Sequence, residues 1–165
     1  MNRALLLATA AVAILPAGVT AQPAEACYVR LEPATPVSIP LASDTVSSHL
    51  GIRRNRAKLF DVEISLSTPG GANCTLTGLA RVRGTPGQEV LAFPLRRDAT
   101  LPPSPTGVPC QVFVQLTPTA LVLATSEEAC AAMPPCGGMI PVHGQRFELA
   151  GKVEPPDKGP CFAQR

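Results

Sequence analysis

Large aromatic side chains are scarce: the 165 residues hold no tryptophan, one tyrosine and five phenylalanines. That shortage argues against a carbohydrate-binding platform, which stacks sugars on aromatic faces, and leaves a core of small aliphatics and alanine. Histidine is as rare. His49 and His143 stand alone, which leaves little room for a catalytic triad or a metal site. The formal net charge of +2 is too small to argue for nucleic acid or a membrane surface. There is no Gly-x-Ser-x-Gly elbow, no His-Glu-x-x-His pair, no phosphate-binding glycine loop and no dinucleotide fingerprint. No repeat of fixed period and no second domain are visible, and the length suits one domain. No catalytic, cofactor-binding or metal-ligating residue is therefore assigned, and no nucleic-acid partner is expected.

What is present begins with a leader. Met1-Asn2-Arg3 is a short positive start, and Ala4 to Leu15 is apolar except for Thr9. Pro16 and Gly18 break the run, and Val19-Thr20-Ala21 places small residues before a cut at Gln22. These are the three regions of a secretory signal peptide over residues 1–21, and the apolar run is too short to span a bilayer. A cut after Ala26 would instead expose Cys27 for lipidation, but Glu25 sits badly in such a site. The mature chain, 22–165, then keeps a net charge near +1 and no apolar stretch long enough to cross a membrane. Arginine outnumbers lysine 11 to 3, with abundant alanine and proline, a bias of GC-rich bacterial genomes. The expectation is a bacterial protein exported to the periplasm or outside the cell.

Six cysteines follow the leader: Cys27, Cys74, Cys110, Cys130, Cys136 and Cys161. An even count in an exported chain reads as three disulfides, each stabilising by about 2–4 kcal/mol through restriction of the unfolded chain. Cys27 opens the mature domain and Cys161 nearly ends it, so a bridge between them would tie down two ends that otherwise fray. For the other four, spacing alone does not choose the partners. The interval between Cys130 and Cys136 is wider than a zinc knuckle, and no second close pair accompanies it.

Between the cysteines the apolar period is two. Phe60, Val62, Ile64 and Leu66 alternate with polar residues, and after a Pro-Gly-Gly turn Cys74, Leu76, Gly78, Ala80 and Val82 alternate with Thr75, Thr77, Leu79, Arg81 and Arg83. Residues 59–83 therefore read as a β-hairpin. Val90–Leu95, Cys110–Leu116, Leu121–Leu123, Met139–His143 and Phe147–Val153 continue as extended segments, with a proline-rich loop at 98–109. Ser126 followed by Glu127 and Glu128 reads as a helix N-cap and a short helical turn near 127–132. Tyr28–Leu31 and Val37–Ile39 read as short strands, and 42–56 as a short helix or a loop. About seven strands and no long helix predict an all-β fold, a small antiparallel barrel or sandwich.

The one charge cluster is Arg53, Arg54, Arg56 and Lys58; its plainer reading is a solvated loop entering the first strong strand, and its functional reading is a contact for an anionic partner. Asp61 and Glu63 share one strand face about 7 Å apart and, with His143, are the residues from which a hydrolytic site would have to be built.

Residues 60–151 resemble a recurrent, mostly uncharacterised type of small secreted bacterial β protein. The pattern is carried by Cys74-Thr75-Leu76-Thr77-Gly78, Cys110-Gln111-Val112-Phe113-Val114, Cys130 to Gly138 with its Cys-Gly-Gly, and Gly144-Gln145-Arg146-Phe147. Some envelope proteins of similar look are lysozyme inhibitors with small disulfide-stapled barrels. The resemblance implies the pairs Cys74–Cys130 and Cys110–Cys136 alongside Cys27–Cys161; the rival set is Cys74–Cys110 with Cys130–Cys136. A stapled β scaffold, the lack of a catalytic constellation and the long polar or proline-rich loops at 42–58 and 98–109 point to a non-enzymatic module that binds a protein or envelope component through those loops, and the resemblance implies one form of it, an inhibitor of a lysozyme-like hydrolase. The alternatives are a hydrolytic enzyme of unknown type and a passive structural protein of the envelope.

Overall fold

A computed structural model describes residues 25–33, 45–56, 58–95, 107, 109–132, 134–154 and 160–162. The expected leader, the strand expected at 37–39 and nearly all of the 98–109 loop lie outside these residues. The chain forms β1 (Glu25–Pro33), β2 (Thr45–Arg56), β3 (Leu59–Ser67), β4 (Asn73–Arg83), β5 (Val90–Pro94), β6 (Gln111–Leu116), β7 (Ala120–Thr125), a short helix α1 (Glu127–Ala132), β8 (Arg146–Glu148) and β9 (Lys152–Val153). All pairings are antiparallel, and the sheet order is β8-β7-β6-β5-β4-β3-β2-β1-β9. The all-β expectation holds, and the architecture is a nearly closed barrel of nine strands rather than a sandwich.

Alternation builds the interior. Phe60, Val62, Ile64 and Leu66 of β3 are buried, while Asp61, Glu63 and Ser65 between them are half-buried on the outer face. Across the wall, Val112, Val114, Leu121, Leu123, Phe93 and Phe147 fill the same core. A barrel of about eight or nine strands has an interior just wide enough for side chains to fill, and here Phe93 and Phe147 supply the bulk at 0% exposure. Gly78 lies on the inward phase of β4, where an added Cβ would overlap the Phe93 ring. The glycine of the Cys-x-Leu-x-Gly stretch is thus a seat for one of the few large side chains. The seam between β1 and β8 is closed by side chains. The Arg30 guanidinium donates to Gln145 Oε1, lies 5.5 Å from the Phe147 ring centroid and pairs with Glu32 at 3.1 Å.

Several expectations are corrected. Residues 45–56 are neither helix nor loop but the longest strand, β2, whose alternation is masked because its outer face carries Gly51 and His49 while the inner carries Ser48. Ser48 is tolerated inside because its hydroxyl accepts the Ser67 N–H at 3.1 Å. Met139–His143 makes no ladder; Pro135–Gly138 turn as 3₁₀ helix, and Ile140 and Val142 still reach the core from an irregular segment. The last expected strand splits into β8, a 3₁₀ turn at Leu149–Gly151, and β9. Ser126 precedes α1 as expected, and its Oγ accepts the Gln111 N–H at 3.0 Å.

The disulfides are Cys27–Cys161, Cys74–Cys136 and Cys110–Cys130. The end-to-end bridge is the expected one; the pairs Cys74–Cys130 and Cys110–Cys136, and the rival pairs Cys74–Cys110 and Cys130–Cys136, are not formed. Strand pairing decides this. Val112 opposes Thr125, so α1, which starts just after β7, sets Cys130 beside the entrance to β6, where Cys110 sits. The 3₁₀ turn carrying Cys136 runs on to pack against β4 and meets Cys74. With no free cysteine, the three bridges fit an oxidising extracellular or periplasmic location.

Candidate functional site

The antiparallel meander sorts its connections to two ends. One end carries the β2–β3, β4–β5 and β6–β7 turns; the other carries the β3–β4 turn and the 126–145 segment with two of the three bridges. The first end is basic. Arg56, Lys58, Arg81 and Arg83 are exposed there and form no ion pair among the described residues. Arg56 opposes Leu59, Leu59 opposes Arg81, and Arg83 follows two residues on. With strands about 4.8 Å apart, three guanidinium groups and one ammonium share a patch roughly two to three strands wide. Arg54, exposed, lies over the Phe60 ring at 5.7 Å. Lys58 stands at the tip of the β2–β3 turn with φ 65, a left-handed conformation that disfavours any side chain with a Cβ.

Two acids at this end are occupied. Asp61 takes Arg53 Nη2 at 3.1 Å and Asn55 Nδ2 at 2.9 Å. Glu148 takes Arg146 Nε at 2.6 Å, a hydrogen bond that lowers the Glu148 pKa and raises that of Arg146. Glu89, exposed in the β4–β5 turn, Glu25, which opposes Arg53, and Glu154, which follows β9, are the other acids at this end.

On the outer face of β1–β3 the C-terminal residues 160–162 clasp the barrel. Cys27 points outward from β1 and is bridged to Cys161; both are buried, at 0% and 1% exposure. The Phe162 N–H donates to Glu63 Oε2 at 2.8 Å, and Arg53 lies over the Phe162 ring at 4.4 Å. Gly51 opposes Cys27, and its missing side chain is what lets the clasp approach. His49 lies beside the bridge, its pKa lowered by burial, with Glu63 pulling the other way.

The opposite end carries a cavity of about 400 Å³ walled by Pro134, Pro135, Ile140, Pro141 and Val142, with Glu127 and His143 at its edge. His143 is exposed and its Nδ1 accepts the Thr125 N–H at 3.3 Å.

The structure therefore gathers Arg54, Arg56 and Lys58 as the sequence grouped them, withdraws Arg53 into a pair with Asp61, and adds Arg81 and Arg83. The additions went unread because Arg81 and Arg83 are an ordinary polar phase within β4; only the register with β3 places them beside Arg56. Asp61, Glu63 and His143 are not brought together. Asp61 and Glu63 serve Arg53 and Phe162, and His143 belongs to the segment at the other end. Among the described residues no helix is long and apolar enough to cross a membrane. No family model matches the chain, and neither a curated protein nor a solved structure matches it.

Proposed function

We propose that the protein is an exported, non-enzymatic binding module whose basic end engages a carboxylate-rich partner in the periplasm or outside the cell. The observation that carries this reading is the set of exposed cations, Arg56, Lys58, Arg81 and Arg83, held on a rigid barrel without ion-pair partners among the described residues. Exposed charge that does not serve the fold is available for recognition, and it acts mainly through encounter rate and orientation. Lys58, projecting in a strained conformation, fits insertion into an acidic cleft. Glycoside hydrolases line their clefts with paired carboxylates, so the inhibitor form of this reading, implied by the resemblance to envelope lysozyme inhibitors, suits the charge of this end. The leader at 1–21 supports export.

The test is an immobilised mature protein challenged with envelope extract, together with a lysozyme activity titration. Retention of a partner, or inhibition, that disappears in the quadruple variant Arg56→Glu, Lys58→Glu, Arg81→Glu, Arg83→Glu supports the reading. A protein that retains nothing and leaves lysozyme untouched removes it.

A further inference from the structure

The clasp contains donors that a binding role at the basic end does not use. The two sulfurs of Cys27 and Cys161 and a ring nitrogen of His49 all lie within 4.8 Å of one another. His49 Nε2 meets Ser47 Oγ at 3.0 Å, while Nδ1 is buried and has no hydrogen-bond partner among the described residues. A buried ring nitrogen without a partner is an unfavourable place to leave a lone pair. A hydrogen bond on the far nitrogen is how a ligating imidazole is ordinarily held in one tautomer. In the oxidised protein the sulfurs are joined to each other and offer no thiolate.

We propose that, once the Cys27–Cys161 bridge is reduced, Cys27, Cys161 and His49 form a three-ligand site for a borderline-soft metal ion such as Zn²⁺. Two thiolates and one imidazole, with a fourth position left to water or an exogenous donor, are a regular zinc donor set. Tetrahedral bonds of about 2.0–2.3 Å set neighbouring ligand atoms about 3.5–3.8 Å apart, so the two sulfurs, bonded to each other in the bridge, separate once it is reduced, while the ring nitrogen, within 4.8 Å of both, closes in. A dithiol reductant supplies the chemistry. It gives two electrons and two protons to the S–S bond, which breaks to two thiols, and leaves as its own cyclic disulfide. The metal then displaces one proton from each thiol to solvent, and Nδ1 donates its lone pair without losing a proton. The Phe162 ring, held by Arg53 and by the Phe162 N–H bond to Glu63, walls the site. Bridge and metal are thus alternative occupants of one place, and the clasp stays closed with either.

The experiment uses the full mature chain, oxidised and after reduction with a dithiol that is then removed without air. Co²⁺ is the probe, read by its tetrahedral thiolate absorption and by mapping which cysteines a thiol alkylator reaches. The oxidised protein takes up no Co²⁺. The reduced protein takes it up, and Cys27 and Cys161 become at least about tenfold slower to alkylate than in metal-free reduced protein, while the other four cysteines do not change. His49→Gln weakens Co²⁺ binding by about tenfold or more and leaves metal-free alkylation as it was. Protection that falls on another cysteine pair, equal affinity in His49→Gln, or no uptake overturns the proposal. A reduced chain that has lost its fold binds without regard to His49 and gives the second of these results.

Discussion

Gly51 decides whether the C-terminal clasp can close. A Cβ at this position would stand 2.8 Å from Phe162 Cε2 and 3.2 Å from Cys161 Cα. The phenyl ring can swing aside, but the Cys161 backbone is tethered by its bridge and cannot. Gly51→Ala is therefore expected to destabilise the protein by about 1–3 kcal/mol, as overpacking does, and to make the C-terminal residues more susceptible to protease. Urea denaturation and limited proteolysis measure both, and an unchanged midpoint contradicts the account. His49, two residues away, titrates against the fold. Burial lowers its pKa beneath the ordinary 6.5, with Glu63 opposing; Arg53 and Asp61, already paired to each other, are the other charges on this face. As pH falls below 6.5 the unfolded chain takes up the proton first, so it binds more protons and stability declines; above that pH the contribution is fully present. The thermal midpoint followed from about pH 8 to about pH 5 should fall more in the wild type than in His49→Gln. Parallel curves would show that His49 is not the group responsible. The Cys27–Cys161 bridge was legible in sequence, but the place of His49 beside it was not, since His49 is an isolated polar residue in a stretch with no clear period. The strand β2 and a disulfide partner 134 residues from Cys27 were needed to bring it beside sulfur.

Strands with one apolar and one polar face could be read directly, and those with neither could not. β3 and β4 follow the alternation of Phe60 to Leu66 and Cys74 to Val82 residue by residue. In β1 both phases are buried at Ala26, Cys27 and Tyr28, because the clasp covers the outer face, so a period of two is lost. The bridge between the ends, Cys27–Cys161, was legible, but the other four cysteines join as Cys74–Cys136 and Cys110–Cys130 and not as expected, since which strand ends meet is a property of sheet order rather than of spacing. That order also ranks the bridges. Cys27–Cys161 closes a separation of 134 residues and Cys110–Cys130 one of 20. On the chain-entropy model, removing the first pair by Cys27→Ala with Cys161→Ala should cost about 1.7 kcal/mol more than removing the second, from the logarithmic dependence on loop length. Paired denaturation curves of the two double variants check the difference. A larger loss at Cys110–Cys130 would mean that anchoring α1 to the β6 entrance outweighs closing the chain.

At the scale of the whole molecule the nearly closed barrel gathers exposed cations at one end, and the small net charge of +2 conceals this. Arg56, Lys58, Arg81 and Arg83 crowd one end, while Glu32 and Glu127 belong to the other. Composition averages over both ends, so the net charge does not report the cluster. Lys58 allows the fold and the function to be separated in one substitution. Its φ of 65 is a conformation that glycine adopts freely and a side chain with a Cβ resists by about 1–2 kcal/mol. Lys58→Gly should therefore raise stability, by up to about 1 kcal/mol once glycine's greater freedom in the unfolded chain is set against the relieved strain. The same change should weaken the partner retained through the basic end, and that interaction should fade as salt rises, because the screening length shrinks from about 10 Å at 0.1 M to about 3 Å at 1 M. A variant that is more stable yet binds less would show that this turn is kept strained for the cation it presents. If Lys58→Gly gains stability and binds the partner unchanged at every salt concentration, the tip of the β2–β3 turn is not part of the contact.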